Sequence, residues 1–475
     1  MPIIQNGLKK IYQQYPLLQD IVAAFTERGA TVYIVGGAVR DMLLGLTTKD
    51  IDIEVHGLSP KQVHDVLAAF GPVDEVGVSF GVFKLHRLPM DWSLPRKDSA
   101  GRKPAVAIDP HMSIKDAFAR RDLTMNAMGV NAATGELVDP FGGQEDIAKK
   151  RLRSPAIALF TQDPLRFFRV MHFISRFAMY PDDALNEVCR SMSIAEVSRD
   201  RIEQEFHKML LRSKQPSLGV RWLAKIGRLR EVLPELADTQ GVVQSPAWHP
   251  EGDVFEHSMQ ALDAAAQETY ANEQQKLVGL YAALCHDLGK VTTTTQDDDG
   301  IHSYGHEKES ERLAKKMLKR ITHNKTLIDQ VATLVRVHMQ PIQLVRQKAS
   351  LSAYKRLARK LGPALSMQQL AQLVRADKLG RNPKKQVPLQ TATPEVDQFL
   401  ARAKEARVEH RMEPPLLTGK DFLDVVTPGP LLGRVVKAAY ELQLDGLTDK
   451  DKLKMQALEA AGVAEMPKDA NNSSN

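Results

Sequence analysis

The sequence lacks the features that would place it in a membrane, in a secretory pathway or in a disulfide-stapled class. No apolar run approaches the length that spans a bilayer. The first thirty residues mix Lys, Gln, Asp and Arg with apolar side chains, which leaves no secretory signal and points to the cytoplasm. Only two cysteines occur, Cys189 and Cys285, far apart and without metal-ligand spacing, so they read as small buried hydrophobes rather than a disulfide or a zinc knuckle. There is no internal repeat. Neither charge sign dominates: 64 Lys and Arg stand against 58 Asp and Glu, and a net charge of +6 does not by itself establish nucleic-acid binding. What is present is an ordinary globular composition, 43% hydrophobic and 26% charged, in a chain of 475 residues. That length is too great for one core and implies three or four domains.

Along the chain, residues 1–30 suggest a helix ending at Gly29, followed by the β-branched run Thr31–Val35, the stop Gly36-Gly37 and helical spacing from Ala38 to Leu44. Ile51–Val55 alternates like a strand, and Ser59 caps a helix through Phe70. Further strands are expected at Gly81–Leu88, Met90–Leu94 and Ala105–Ile108, so residues 1–150 read as α+β, a small sheet backed by helices. From 151 to about 245 the pattern is helical and basic; from 246 to 390 it is helical again but studded with His and Asp, ending in a linker near Asn382–Pro394. A short helical module over 391–466 follows, and residues 467–475 read as disordered.

The first chemical signal is Gly36-Gly-Ala-Val-Arg-Asp-Met-Leu-Leu-Gly45 followed by Asp50-Ile-Asp52. On a strand, residues two apart share a face, so Asp50 and Asp52 present two carboxylates together. Paired carboxylates beside a Gly-rich turn suit two-metal phosphoryl chemistry, with Mg²⁺ held by the carboxylates. The turn lets backbone N–H groups approach phosphate, and the following helix adds its positive end. A bare Asp-x-Asp is more often the solvated face of an edge strand. Here the turn, the Arg40-Asp41 pair and the two aspartates fall together, which favours function.

Residues 35–55 resemble the signature of the class II tRNA nucleotidyltransferase and bacterial poly(A) polymerase family, within the DNA polymerase β-like superfamily. The resemblance implies a polymerase β-like head with a small mixed sheet, followed by all-helical neck, HD and tail domains. It implies that Gly37, Arg40, Asp50 and Asp52 serve the triphosphate and the metals, Asp50 and Asp52 being catalytic. Arg120-Arg-Asp-Leu-Thr-Met-Asn-Ala127 is similar to the family's ribose- and phosphate-reading segment, which assigns those tasks to Arg121, Asp122 and Asn126. Asp139–Gly143 resembles the joint between head and neck. In Asp163-Pro-Leu-Arg166-Phe-Phe-Arg169 a proline starts a helix, and Asp163, Arg166 and Arg169 then share a face. The family uses this Asp and Arg as an amino-acid template for the incoming base. A carboxylate accepts from the exocyclic amine of C or A, and a guanidinium donates to the adjacent ring acceptor, whereas G and U present the opposite order. Gln162 stands where the family often has Glu, and a neutral amide still hydrogen-bonds. Arg199, Arg201 and Glu205 look like the last neck motif.

The second signal is His257, the pair His286-Asp287 in an apolar helical stretch, and Asp377. An adjacent His-Asp pair among apolar residues is costly unless both are satisfied, and a metal is the usual satisfier. The set resembles the HD phosphohydrolase superfamily, implying a divalent transition metal at His257, His286, Asp287 and Asp377, with His306 and His338 available for a second. His249, His302 and His323 are given a structural role by default. In related transferases this domain carries phosphatase and cyclic-phosphodiesterase activity.

Three readings follow. The favoured one is a CCA-adding enzyme acting on tRNA with CTP and ATP, with an HD hydrolase and no membrane association. The second is an A-only enzyme, a poly(A) polymerase or one half of a split pair; the third is an HD phosphohydrolase with a non-catalytic RNA-binding head. The basic loop Ser93–Lys103 and the segment Gly419–Gly433, which resembles a tRNA-gripping tail, favour the first over the second. Asp91 could add a third carboxylate, or be an exposed strand residue.

Overall fold

A computed structural model describes residues 2–48, 50–75, 81–98, 106–384 and 386–463. The chain forms two compact units, Met1–Val232 and Leu233–Asn475. The disorder expected for 467–475, and residues 99–103 of the basic loop, fall outside the described residues.

The first unit begins with two helices, Pro2–Gln14 and Leu17–Glu27, where the sequence pattern suggests one. Pro16 has no amide hydrogen to donate and disfavours helical geometry at Tyr15, so the helix breaks there. Among the described residues of 31–138, nine strands follow: β1 Thr31–Val35, β2 Ile51–His56, β3 Val73–Glu75, β4 Val82–Leu85, β5 Met90–Ser93, β6 Arg96–Asp98, β7 Val106–Ile108, β8 Gly129–Asn131 and β9 Leu137–Val138. β6 and β7 form a separate ribbon, and the other seven make one sheet in the order β3-β4-β5-β2-β1-β8-β9. The sheet is mixed: β2 and β5 run parallel while the other pairings are antiparallel. β3, β8 and β9, at two or three residues each, are too short to show alternation in sequence.

Period two decides what each face of the sheet does. Val32 and Ile34 of β1 and Ile51, Ile53 and Val55 of β2 enter the main core, packed with Leu18, Ile21, Phe25 and Trp92. Tyr33 and Val35 point the other way, into a smaller cluster with Ala117, Phe118 and Ala127. Asp50 and Asp52 share that second face with Glu54. Ser59 closes a capping box with Gln62 at the start of helix Pro60–Ala68. The rest of the unit, expected to be all helical, also holds a short parallel strand pair, Arg151–Leu152 with Tyr180–Pro181, beside helices in which Leu165–Phe177 packs against Arg199–Arg212 and Ser217–Lys225 through Phe167, Phe168, Phe206 and Trp222.

The second unit is built on helices Val254–Gln267, Glu273–Cys285, His306–Ile321, Lys325–Val337 and Met367–Leu379. A hairpin, Thr295–Asp297 with Gly300–His302, interrupts what the sequence suggests is wholly helical; Asp298 and Asp299 supply its two-residue turn. After helix Pro394–Glu405, a core of Leu417, Phe422, Val435 and Leu453 joins helices Pro430–Leu444 and Lys450–Ala460. Both cysteines are buried and free. No helix among the described residues is long and apolar enough to cross a membrane.

Candidate active sites

In the first unit the strand register assembles carboxylates. Asp52 pairs with Val35 on one side and with Asp91 of the parallel strand β5 on the other, so Asp52 and Asp91 stand side by side on one face. Partial desolvation raises the pKa of Asp52; Arg121 opposes the shift, while Asp91 and Asp50 add to it. Asp50 and Asp52 both remain open to solvent, and Lys84 approaches Asp91 at 3.2 Å. An oxygen-only set of crowded carboxylates fits a hard divalent cation, which relieves their mutual repulsion.

Around this edge the chain gathers cations. Gly36 has φ +72°, and a Cβ there would stand 2.7 Å from Nη1 of Arg121, so both the backbone and the space demand glycine. Gly37 follows at the start of a short helix, where a Cβ would meet Nη2 of Arg40 at 3.3 Å. Arg40 is buried, donates from Nε and Nη2 to Asp41 at 2.9 and 2.7 Å and from Nη1 to Asn126 at 2.7 Å, and lies over the rings of Phe173 and Phe177. Asn126 in turn donates to Asp122 at 2.9 Å, and Arg169 donates to the other oxygen of Asp122 at 2.6 Å. Burial pushes the Asp122 carboxyl up, but Arg169 and Asn126 outweigh it and hold the pKa at about 2. Gly37, Arg40, Arg121, Asp122, Asn126 and Arg169 are thereby joined to the aspartate strand through direct contacts and sheet register.

The pair to which the family resemblance assigns base reading is arranged differently from a simple ion pair. Asp163 lies just ahead of helix Leu165–Phe177 and faces Arg201, with both carboxylate oxygens 3.2 Å from Nη2. Arg166 donates instead to the carbonyls of Leu159, at 2.7 Å, and Arg120. A guanidinium has five N–H groups, so a planar donor edge remains after these two bonds. Glu205, buried, holds His172 at 3.1 Å and Lys208 at 2.8 Å. Asp139 caps the segment that begins at Gly143, accepting from Gly143 and Gln144 at 2.7 and 2.9 Å.

In the second unit the His-Asp pair sits at the end of helix Glu273–Cys285 rather than inside it, with His286 as its C-cap. Each histidine of the cluster directs Nδ1 at a backbone carbonyl: His286 at Ala283, 2.8 Å; His306 at Ser303, 2.8 Å; His338 at Val335, 2.7 Å; and His257 at Gly380, 3.2 Å. Facing an acceptor, Nδ1 carries the proton and Nε2 presents its lone pair. Yet the Nε2 atoms of His257 and His286 lie 3.1 Å apart, and those of His306 and His338 lie 3.3 Å apart. Two ring nitrogens brought so close are stabilised by a cation, whether a bound metal ion or a proton on one imidazole.

Carboxylates complete the set. Asp377 lies 3.1 Å from His257 Nε2. Asp287 turns Oδ2 towards His286 and His257, at 3.3 and 3.6 Å, and Oδ1 towards His306, at 3.3 Å. It thus bridges two groups that could each hold a metal, His257 with His286 and Asp287, and Asp287 with His306 and His338. Burial disfavours charge on His257, but Asp377 and Glu251 outweigh it and lift its pKa to about 9, so this pocket favours a cation. Burial, then His306 and His286, lowers His338 to about 3, leaving it a neutral donor atom.

Several participants carry no motif of their own. Glu251 accepts from His257 at 2.7 Å and lies 3.0 Å from His249, which therefore borders the cluster although its sequence suggests a structural role. Lys290 and Arg381 approach Asp287 and Asp377 at 2.8 and 2.7 Å. In the first unit Glu54 is enclosed between His56 and Arg120, at 3.0 and 3.1 Å. A glutamate in a strand, or a lysine one turn after a motif, has no sequence signal that marks it.

Comparison with known proteins bears on both sites. Residues 32–153 match the poly A polymerase head domain and residues 254–374 match the HD domain. The chain is 36% identical over 289 residues to the multifunctional CCA protein of Mannheimia succiniciproducens, a match over 58% of this chain and 66%, just under two thirds, of that protein. With the multifunctional CCA protein of Paraburkholderia phymatum it shares 34% identity over 333 residues, 67% of this chain and 76% of the relative. In fold it is similar to the Bacillus stearothermophilus CCA-adding enzyme in complex with CTP, with a TM-score of 0.64 at 20% identity over 97% of this chain and 98% of the other. A Thermotoga maritima CCA-adding enzyme complexed with tRNA aligns with a TM-score of 0.57 at 20% identity, over 96% of this chain and 98% of that one.

Proposed function

Because the chain belongs to the family of the multifunctional CCA proteins, we propose that it adds cytidine and adenosine residues to the 3′ end of tRNA from CTP and ATP, in the cytoplasm, and that its HD domain is a metal-dependent phosphohydrolase. The observation that carries the first half is that Asp52 and Asp91 stand side by side on the head sheet with Arg121 beside them, while Arg40, Asn126, Asp122 and Arg169 form one hydrogen-bonded chain by the Gly36-Gly37 turn. We assign residues 1–150 to the head, 151–245 to the neck, 246–390 to the HD domain and 391–466 to an RNA-binding tail.

Asp50 and Asp52 would hold Mg²⁺, which when bound supplies Lewis-acid polarisation of the attacking hydroxyl and of the triphosphate. The residues of the chain then do the positioning. Arg40 and Arg121 meet triphosphate charge beside the Gly36-Gly37 turn. Asp122 and Asn126 address the ribose, with Arg169 fixing the carboxylate. The terminal 3′-oxygen of tRNA forms a bond to the α-phosphorus, the bond to the departing diphosphate breaks, and the hydroxyl proton is lost to solvent. Arg166, clamped by two carbonyls, offers its remaining N–H groups to the base edge, and Asp163 accepts from the exocyclic amine of C or A.

In the HD domain, His257, His286, Asp287 and Asp377 would hold one divalent transition metal, with Asp287, His306 and His338 available to a second. Imidazole and carboxylate donors suit such ions. Lys290 and Arg381 place positive charge where a phosphate ester would dock, and a 2′,3′-cyclic or 2′-phosphate is the substrate class assigned.

Incubating the full chain and Mg²⁺ with tRNA lacking its terminal CCA tests the transferase reading. CTP and ATP together should lengthen the RNA by three nucleotides, with CTP incorporated first. A run of adenylates from ATP alone would refute CCA addition in favour of an A-only enzyme.

A further inference from the structure

Glu54 has no task in the chemistry above. Period two places its side chain on the face of β2 that carries Asp50 and Asp52, but where those two are open to solvent, Glu54 is 0% exposed. A carboxylate so enclosed cannot reach a nucleotide, and it is tolerable only if paired. Its Oε1 lies 3.0 Å from His56 Nε2, and its Oε2 accepts from Arg120 at 3.1 Å and lies 3.6 Å from Nη2 of Arg121.

Arg121 has more than one carboxylate within reach of its charge. A Cβ on Gly36 would stand 2.7 Å from Nη1 of Arg121 and 3.8 Å from Oδ2 of Asp52, so the guanidinium lies beside the aspartate strand. The carboxylates whose field it feels are Glu54, Asp52 and Asp122. Asp122 is already taken by Arg169 and Asn126. With the charge of Glu54 removed, the unclaimed carboxylate is Asp52. A guanidinium bonded there would occupy the lone pairs that a metal ion needs.

We propose that Glu54 is a positioning residue that draws Arg121, together with Arg120, away from Asp52 and so keeps this carboxylate available to a metal ion. The proposal rests on the reading of Asp50 and Asp52 as metal ligands. It has a second consequence: the carbonyl of Arg120 accepts from Arg166, so one buried carboxylate steadies both the metal strand and the base-reading arginine.

The test is Mn²⁺ binding to the full chain, followed by electron paramagnetic resonance without nucleotide. The transferase component is the one that Asp52→Ala removes, which separates it from the HD centre. Glu54→Gln keeps the shape and deletes the charge; it should weaken that component about tenfold, as loss of a group supporting a metal ligand does. The half-saturating Mg²⁺ for CTP addition should rise by the same factor, and Glu54→Asp should restore most of the affinity. Adding Arg121→Gln to Glu54→Gln removes the competitor, so Mn²⁺ affinity should recover although nucleotide addition stays impaired. A merely structural Glu54 would not give that recovery. Unchanged Mn²⁺ affinity in folded Glu54→Gln, or a double variant no tighter than the single one, overturns the proposal. If Glu54→Gln does not fold, Arg121→Gln alone decides: Mn²⁺ affinity within about twofold of the wild type supports the role, because Glu54 already holds that guanidinium off Asp52, and binding tighter by about tenfold overturns it. If Asp52→Ala removes no Mn²⁺ component, the metal reading of Asp52 fails and this proposal falls with it.

Discussion

Replacing Asp122 by Asn keeps the shape of the side chain and removes its charge, at a position that is 7% exposed. The carboxylate accepts from Arg169 at 2.6 Å, from Asn126 at 2.9 Å and from the amide of Leu123 at 2.8 Å. Its pKa falls from the ordinary 3.8 to about 2. Each unit corresponds to about 1.4 kcal/mol, so the folded-state carboxylate contributes roughly 2.5 kcal/mol to stability at neutral pH. Because the folded pKa lies below the unfolded one, this contribution is full above pH 3.8 and is lost as the pH falls through about 2. At pH 3 roughly half should remain. Denaturant unfolding followed by fluorescence suits the question, since Trp92 and Trp222 are both buried in the unit that contains Asp122. Asp122→Asn should be less stable than the wild type by about 2–3 kcal/mol at pH 7, with the gap closing towards pH 2. A gap below about 0.5 kcal/mol at pH 7, or one that does not shrink with acid, would refute this account of Asp122.

Other outcomes follow from the same geometry. Gly36→Ala puts a methyl group 2.7 Å from Arg121 at a residue with φ +72°, so CTP addition should fall at least about tenfold at a stability cost of about 1–2 kcal/mol; wild-type kinetics would show that Arg121 yields freely. Arg166→Ala should slow use of CTP and ATP and relax discrimination against UTP and GTP, measured as ratios of kcat/KM. An unchanged ratio with a lower overall rate would make Arg166 a structural residue held by Leu159 and Arg120.

Much of the fold was legible where a single period dominates. β1 and β2 announce themselves by β-branched alternation, and the Gly36-Gly37 turn with Asp50 and Asp52 marks the head site. The histidines and aspartates of the HD cluster were legible as residue types. Their setting was not, because His286 reads as helix interior until the carbonyl of Ala283 is seen to take its Nδ1 proton at the helix end. Contacts made across long stretches of chain were also invisible. Asp163 reads as a partner of Arg166 three residues on, but it faces Arg201, brought back by a later helix. Glu54 continues the alternation of β2 and gives no hint that it is sealed between two arginines and a histidine. Glu251, six residues before His257, looks like loop polarity until both histidines are found on one of its oxygens.

The central claim is that one chain holds two separate metal-dependent chemistries, and a crossed pair of variants tests it most directly. Asp52→Ala and His286→Ala are each assayed for CTP and ATP addition to tRNA lacking CCA, and for phosphate release from a 2′-phosphate or ring opening of a 2′,3′-cyclic phosphate. Melting curves confirm that each variant is folded. Asp52→Ala should lose addition and keep hydrolysis; His286→Ala should lose hydrolysis and keep addition to within about threefold, as expected when a ligand is removed from one of two independent sites. Loss of both activities in either folded variant, or full nucleotide addition by Asp52→Ala, would contradict the account.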